Sequence, residues 1–234
     1  MEKNIPHGAF YIVSTPIGNM DDLSVRAREC LKTVDLIACE DTRHTGLLLS
    51  RLGIKKKLVS YNDINALRRL PLLLDNLEHG KDIALVSDAG TPGVSDPAYR
   101  IVRAALDAGF KVLSIPGPSA VLSALVVSGL PLDRFVFEGF LPQKKSARAA
   151  RLELLKSESR TIVLFESPHR IISLLETVLD IMGNRELSVS RELTKLHEET
   201  VRGSAESVLT QLKNSKPRGE YTVVIRGIGK KGSL

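Results

Sequence analysis

Short runs of apolar and β-branched residues alternate with helix-length amphipathic stretches along almost the whole chain. That alternation restricts it to an α/β fold, in which helical crossovers join the strands of a sheet. The first run, residues 10–14, leads through a polar turn into a helix that begins near Ser24 and carries Val25, Leu31 and Val34 on one side. Leu36–Cys39 and residues 58–61 read as the next strands, separated by a helix that Thr42 caps and Gly53 ends. Residues 65–79 have a helical pattern that Pro71 starts or kinks and Gly80 closes. Ile83–Val86 and residues 112–115 are strands on either side of a helix over 97–108. A second series follows Pro116: helix 119–128, strand 135–138, a basic helix over 146–156, strand 161–165, helix 168–182, and strands at 187–190 and 221–226. A boundary between Pro116 and Gly129 gives an N-terminal α/β domain over 1–117 and a C-terminal α/β domain over 118–227. A Gly- and Lys-rich tail over 228–234 is expected to be disordered.

Composition narrows the class further. With 234 residues, 43% hydrophobic and 26% charged, the chain has the make-up of a folded globular protein. Its most apolar stretch, 119–130, falls short of the roughly 20 residues a membrane-spanning helix needs. Lys3 is followed by no apolar leader segment, so a cytoplasmic location is expected. Cys30 and Cys39 sit among apolar residues without C-x-x-C spacing, which favours buried thiols over a disulfide or a zinc site. The excess of 33 Lys and Arg over 27 Asp and Glu, net +6, biases the protein toward anionic partners. With no Trp and 4% aromatic residues, charge and shape must carry most of any RNA binding.

The common nucleotide and hydrolase signatures are missing: no G-x-G-x-x-G follows a strand, and there is no Walker A loop, H-E-x-x-H or G-x-S-x-G. What the sequence offers instead is a set of Gly/Pro-rich loops, each where a predicted strand ends: Ser14-Thr-Pro-Ile-Gly-Asn19, Ser87-Asp-Ala-Gly-Thr-Pro-Gly-Val-Ser-Asp-Pro97 and Ile115-Pro-Gly-Pro-Ser-Ala120. Ligands of open α/β sheets bind beyond the carboxyl ends of strands, so three such loops on one edge describe a binding site. In the middle loop Gly90 and Gly93 allow close backbone approach, and Asp88 offers a carboxylate to a hydroxyl or ammonium group. Each loop taken singly serves equally well as a tight turn.

Seven segments in this order resemble one family. They are Tyr11-Ile-Val-Ser-Thr-Pro-Ile-Gly-Asn-Met-Asp-Asp-Leu-Ser, Glu40-Asp-Thr-Arg-His-Thr-Gly, Val86-Ser-Asp-Ala-Gly-Thr-Pro-Gly-Val-Ser-Asp-Pro, Pro116-Gly-Pro-Ser-Ala, Glu138-Gly-Phe-Leu-Pro, Phe165-Glu-Ser-Pro-His-Arg and Ser190-Arg-Glu-Leu-Thr-Lys. From Phe10 to Arg226 the chain is similar to the 16S ribosomal RNA (cytidine) 2′-O-methyltransferases of the tetrapyrrole methylase superfamily. The resemblance implies two α/β domains with a ligand cleft between them, S-adenosylmethionine as methyl donor, a homodimer, and a cytidine ribose in the decoding region of the small ribosomal subunit as target. It implies donor contacts from Pro16, Asp88, Gly90, Thr91, Pro92, Gly93, Ser119, Ala120, Phe165, Arg191, Glu192, Gly219, Glu220 and Tyr221, mostly through backbone groups.

The acceptor hydroxyl is a weak acid, so a base within reach should take its proton; Glu40, His44 and Glu166 are the candidates, with Asp41 beside them. Glu40 and Asp41 read equally as carboxylates drawn to a helix N-terminus, and His44 as a solvated first-turn residue. For RNA phosphates the candidates are Arg43, Lys144, Lys145, Arg148, His169 and Arg170, with Arg151 in the same charged run. A solvated helix face is the other account of that run. No metal site is expected.

The chain departs from the family in two places. Where many members read Tyr-His-Glu-His-Asn-Glu, this one reads Tyr61-Asn-Asp-Ile-Asn-Ala66. Members commonly continue into a small helical domain, whereas this sequence stops at Leu234, as a trimmed chain or a short member would. Two further readings stay open here: methylation of a tetrapyrrole or a protein side chain, and a donor- or RNA-binding factor without catalysis.

Overall fold

The computed structural model describes residues 7–229, so the segment around Lys3 and all but two residues of the tail over 228–234 lie outside the described residues. The chain divides into two compact units between Ser119 and Ala120. Among the described residues no helix is long and apolar enough to cross a membrane.

The first unit runs β1 (Ala9–Val13), α1 (Val25–Thr33), β2 (Leu36–Cys39), α2 (Thr42–Arg51), β3 (Lys57–Ser60), α3 (Ala66–Glu78), β4 (Ile83–Val86), α4 (Ala98–Asp107) and β5 (Lys111–Ile115). All five strands are parallel, in the order β3-β2-β4-β1-β5. Both faces are buried, so the inner strands β1, β2 and β4 are apolar throughout rather than alternating, while the outer strands β3 and β5 also carry Lys57, Ser60, Lys111 and Ser114. Phe10, Leu36, Ala38, Ile83 and Leu85 pack with Leu73 and Leu77 of α3 and Ile101 and Ala105 of α4. Val13, Ile37, Cys39, Ala84 and Val86 pack with Ala27 and Leu31 of α1 and Leu49 of α2 on the other face. This split follows from right-handed crossovers: α1 and α2 carry the chain toward β3, while α3 and α4 carry it back toward β5. The order therefore reverses between β1 and β4, and a crevice opens at their carboxyl ends. Burial holds the Cys30 and Cys39 thiols up at about 11, as befits structural residues.

Local chemistry sets the helix ends. Ser24 accepts the Ala27 N–H and starts α1; the cap of α2 is Asp41, which accepts the Arg43 N–H, with Thr42 already the first helical residue rather than the cap. Pro71 neither starts nor ends α3 but lies inside it. It sits on the exposed side, where the carbonyl it leaves without a donor can reach water.

The second unit runs α5 (Ala120–Val126), β6 (Phe135–Phe140), α6 (Lys145–Leu155), β7 (Thr161–Glu166), α7 (Ile171–Met182), β8 (Glu186–Arg191), β9 (Glu199–Ser204), α8 (Ala205–Lys213) and β10 (Tyr221–Ile225). Its sheet is mixed, in the order β6-β7-β10-β8-β9: β6 and β7 are parallel, β10 runs antiparallel to β7 and β8, and β9 forms a hairpin with β8. Leu152 of α6, Leu174, Leu175 and Val178 of α7, and Val208 and Leu212 of α8 share a core with Ile162, Leu164, Leu187, Val189 and Val223. The pair β9–α8 is an addition to the sequence-derived elements.

Candidate functional site

In the first unit the three Gly/Pro loops converge where the strand order reverses. Thr15, just past β1, and Gly90, beyond β4, exchange two backbone hydrogen bonds of 2.9 and 3.1 Å. The Ser14 and Thr91 hydroxyls lie 2.9 Å apart, and Thr91 Oγ1 donates to the Pro118 carbonyl at 3.4 Å. This lacing requires glycine at two points. At Gly90 (φ +78°) a Cβ would stand 3.3 Å from Ile17 Cγ2, and at Gly117 it would stand 2.8 Å from Ser14 Cβ. Gly93 (φ +95°) and Ser95 (φ +69°) are also left-handed, so the loop after β4 is held in an unusual shape. Asp96 fixes it by accepting the Gly93 and Ala98 N–H groups at 2.8 and 2.9 Å.

Beside this crossing lies a small recess lined by Glu40, Tyr61, Pro92, Asp96 and the end of β4. Asp88 ties its wall together by accepting the Asp41 N–H at 3.2 Å. Burial raises the Glu40 pKa from its ordinary value, and the Asp88 and Asp96 charges push the same way. Burial likewise raises Asp96. Glu40, Asp88 and Asp96 thus concentrate negative charge at one sheet edge of a chain with net charge +6. Tyr61 and Asp96 were not singled out from the sequence, although the loop that carries Asp96 was. The substituted segment after Tyr61 has a local role: Asn62 and Asn65 exchange hydrogen bonds of 2.9 and 3.2 Å at the start of α3.

In the second unit the strand pairing brings the expected donor segments together at one end of the sheet. Tyr221 is the register partner of both Glu166 and Arg191, and Phe165 that of Thr222. Tyr221 is itself buried, and its hydroxyl accepts the Arg218 N–H at 3.3 Å, so only its backbone can serve a ligand. Gly219 (φ +74°) packs so tightly on Glu192 that a Cβ would overlap the carboxylate. Arg191 is paired with Glu199 at 2.7 Å, and Lys195 with Glu192 at 3.0 Å. Pro16 and Pro92 sit in the first unit's loops, Ser119 ends that unit, Ala120 opens α5, and Glu220 is exposed.

Two expectations need correction. Glu166 does not stand as a free base: its side chain has no exposed surface, and Oε1 binds Arg170 Nη2 at 2.6 Å and the Ser167 N–H at 2.7 Å. Arg148 is not a phosphate ligand: it is 3% exposed, with Nη2 donating to Ser173 Oγ at 2.6 Å. Arg170 is partly buried in the pair with Glu166, while His169, Lys144 and Lys145 are exposed. Arg43 is exposed and grips Asp41 with two hydrogen bonds, holding that carboxyl well below its usual range. His44 is exposed on the first turn of α2.

Similarity to known proteins places this arrangement. The cobalt precorrin-4 methyltransferase structure superposes with a TM-score of 0.68 at 16% identity, covering 96% of this chain and 98% of that one. The architecture is thus that of a tetrapyrrole-type methyltransferase. The sequence pattern of the Tetrapyrrole (Corrin/Porphyrin) Methylases matches residues 9–209. Over 220 residues the chain is 48% identical to ribosomal RNA small subunit methyltransferase I of Thermotoga maritima, covering 94% of this chain and 99% of that protein. It is also 48% identical to the protein of the same name from Synechocystis, covering 94% of this chain and 79% of that one. The chain belongs to the tetrapyrrole methylases, in the group of the ribosomal RNA small subunit methyltransferase I proteins.

Proposed function

We propose that this protein transfers a methyl group from S-adenosylmethionine to the ribose 2′-hydroxyl of a cytidine in the decoding region of 16S rRNA. The observation that carries this is the 48% identity to the Thermotoga maritima ribosomal RNA methyltransferase along 99% of that protein. The likeness to the precorrin methyltransferase, at 16% identity, supports the fold and not its substrate.

The residues of the first unit fit the donor. A cradle that a Cβ at Gly90 would crowd, backbone groups of Thr91, Pro92 and Gly93, and the neighbouring Asp88 suit a ligand held mainly by main chain. The acidic set of Glu40, Asp88 and Asp96 suits a positive charge. When bound, the donor supplies an electrophilic methyl group on a sulfonium. Such a displacement needs alignment above all, which a laced, preorganised loop provides.

Glu40 is the base. It lines the recess, and its raised pKa brings its basicity closer to that of the hydroxyl proton it takes. His44 and the committed Glu166 carboxylate are less well placed for the role. Lys144, Lys145 and His169 are the exposed candidates for phosphate, and Arg43 a further one. The small ribosomal subunit is the macromolecular partner, the protein works as a homodimer, and its place is the cytoplasm.

The test is transfer of labelled methyl to 30S subunits that lack the modification, with mass spectrometry of the nucleosides. 2′-O-methylcytidine is the expected product. Methyl transfer to another nucleoside, or none to these subunits, overturns the proposal.

A further inference from the structure

The composition leaves little from which to build a base-stacking surface, with six Phe, four Tyr and no Trp. The second sheet nevertheless carries four of the six phenylalanines, and three of them cluster. The Phe137 and Phe165 rings meet edge-on at 4.9 Å, and Phe140 lies 5.5 Å from Phe165 at a tilt of 55°. Phe137 and Phe140 are three residues apart, so a regular strand would point them to opposite faces. A bulge prevents this. Phe137 pairs with Val163 and Phe140 with Phe165, so Glu138 and Gly139 oppose Leu164 alone. Gly139 takes φ +62°, the left-handed conformation such a bulge uses.

The phase change is visible on the other face too. Val136 packs against the core before the bulge and Leu141 after it, an odd number of residues apart. The shift puts Leu141 in the core and leaves Phe140 on the opposite face, 55% exposed on an edge strand.

Charge marks what this ring meets. Lys144 is the N-cap of α6 and Lys145 its first residue; no side chain caps that end, and its first turn has no acidic residue. Two cations at the positive end of a helix oppose the macrodipole, and an anion bound there relieves the conflict. Both lysines are exposed and, among the described residues, neither forms an ion pair. An exposed apolar ring four residues before a pair of exposed lysines at a helix N-terminus matches a chain that carries flat bases and phosphates together. A second copy of this chain, itself at +6, does not supply that charge.

We propose that Phe140 stacks on an unpaired RNA base while Lys144 and Lys145 bind an adjacent phosphate. This rests on the RNA substrate proposed above and adds a base contact to it. The test uses a single-stranded RNA of decoding-region sequence carrying 2-aminopurine, with methyl transfer to 30S subunits measured in parallel. The parent protein should quench the probe. Phe140→Ala should abolish quenching and weaken RNA binding roughly ten-fold, Phe140→Trp should restore both, and donor affinity by calorimetry should stay the same in each. A Phe140→Ala variant that binds and quenches like the parent overturns the stacking contact alone. A parent protein that neither binds the RNA nor methylates the subunits overturns the RNA function and the contact with it. Loss of self-association in Phe140→Ala with RNA affinity intact assigns the ring to a protein interface and also overturns it.

Discussion

Arg170 Nη2 lies 2.6 Å from Glu166 Oε1, and the carboxylate it neutralises has no exposed surface. Glu166 sits at the end of β7 and Arg170 four residues on, as the N-cap of α7, so the pair locks the turn between them. Removing the guanidinium leaves a buried charge without its partner. Arg170→Ala is therefore expected to cost about 3 kcal/mol in urea unfolding, and a double variant with Glu166→Leu should recover most of the loss. An Arg170 whose main task is phosphate binding would give the opposite pattern, unchanged stability with weakened RNA affinity.

The loop after β4 makes a prediction about the donor. Gly90→Ala places a side chain at φ +78° and within 3.3 Å of Ile17, at an expected cost of about 1 kcal/mol, and disturbs the Thr15–Gly90 crossing. Asp88→Ala removes the acceptor for the Asp41 N–H. Both variants should bind S-adenosylmethionine more weakly by calorimetry. Unchanged affinity in both would take this loop out of the donor site.

How much of this could be seen in the sequence depends on where the information resides. The first unit's inner strands were legible because β1, β2 and β4 are unbroken apolar runs, the mark of a parallel sheet buried on both faces. β9 was not, because Glu-Thr-Val-Arg-Gly-Ser buries only Val201 and its pairing with β8 is a tertiary fact. The helix after it did carry a readable signal: Ser204 as cap, then Ala205, Val208, Leu209 and Leu212 at helical spacing. The candidate site divides the same way. Gly/Pro punctuation located the loops, but their lacing, the burial of Arg148, the pairing of Glu166 and the joining of Tyr61 and Asp96 to Glu40 depend on strand order. So does the phase shift at Gly139, which no periodicity within β6 announces.

The basic run at the start of α6 separates into residues with different fates. Lys144→Ala with Lys145→Ala should weaken RNA binding, lower the slope of log affinity against log salt by about 2, and leave donor binding alone. Arg148→Ala should do the reverse, because its side chain is buried and donates to Ser173. Salt titration of RNA binding alongside urea unfolding distinguishes them. Equal salt slopes for the parent and the double lysine variant would return those two residues to ordinary surface.

In the role proposed for Glu40, a single proton bears on both stability and catalysis. Its pKa is raised in the folded protein, chiefly by burial, so the native state holds the proton more tightly than the unfolded chain. Stability contributed at this position therefore falls as pH rises from the unfolded value through the folded one, and the charged carboxylate is a cost at neutral pH. Glu40→Gln keeps the shape and removes that cost, so at pH 7 it should be at least as stable as the parent. As the proposed base, Glu40 has to be charged to take the proton. The parent's kcat/KM should drop on the acid side with a midpoint above that of an ordinary glutamate, while Glu40→Gln should lose about 10²- to 10⁴-fold in activity and the acid limb with it. A Gln variant that keeps full activity, or keeps the same acid limb at reduced activity, would show that the 2′-hydroxyl proton goes elsewhere.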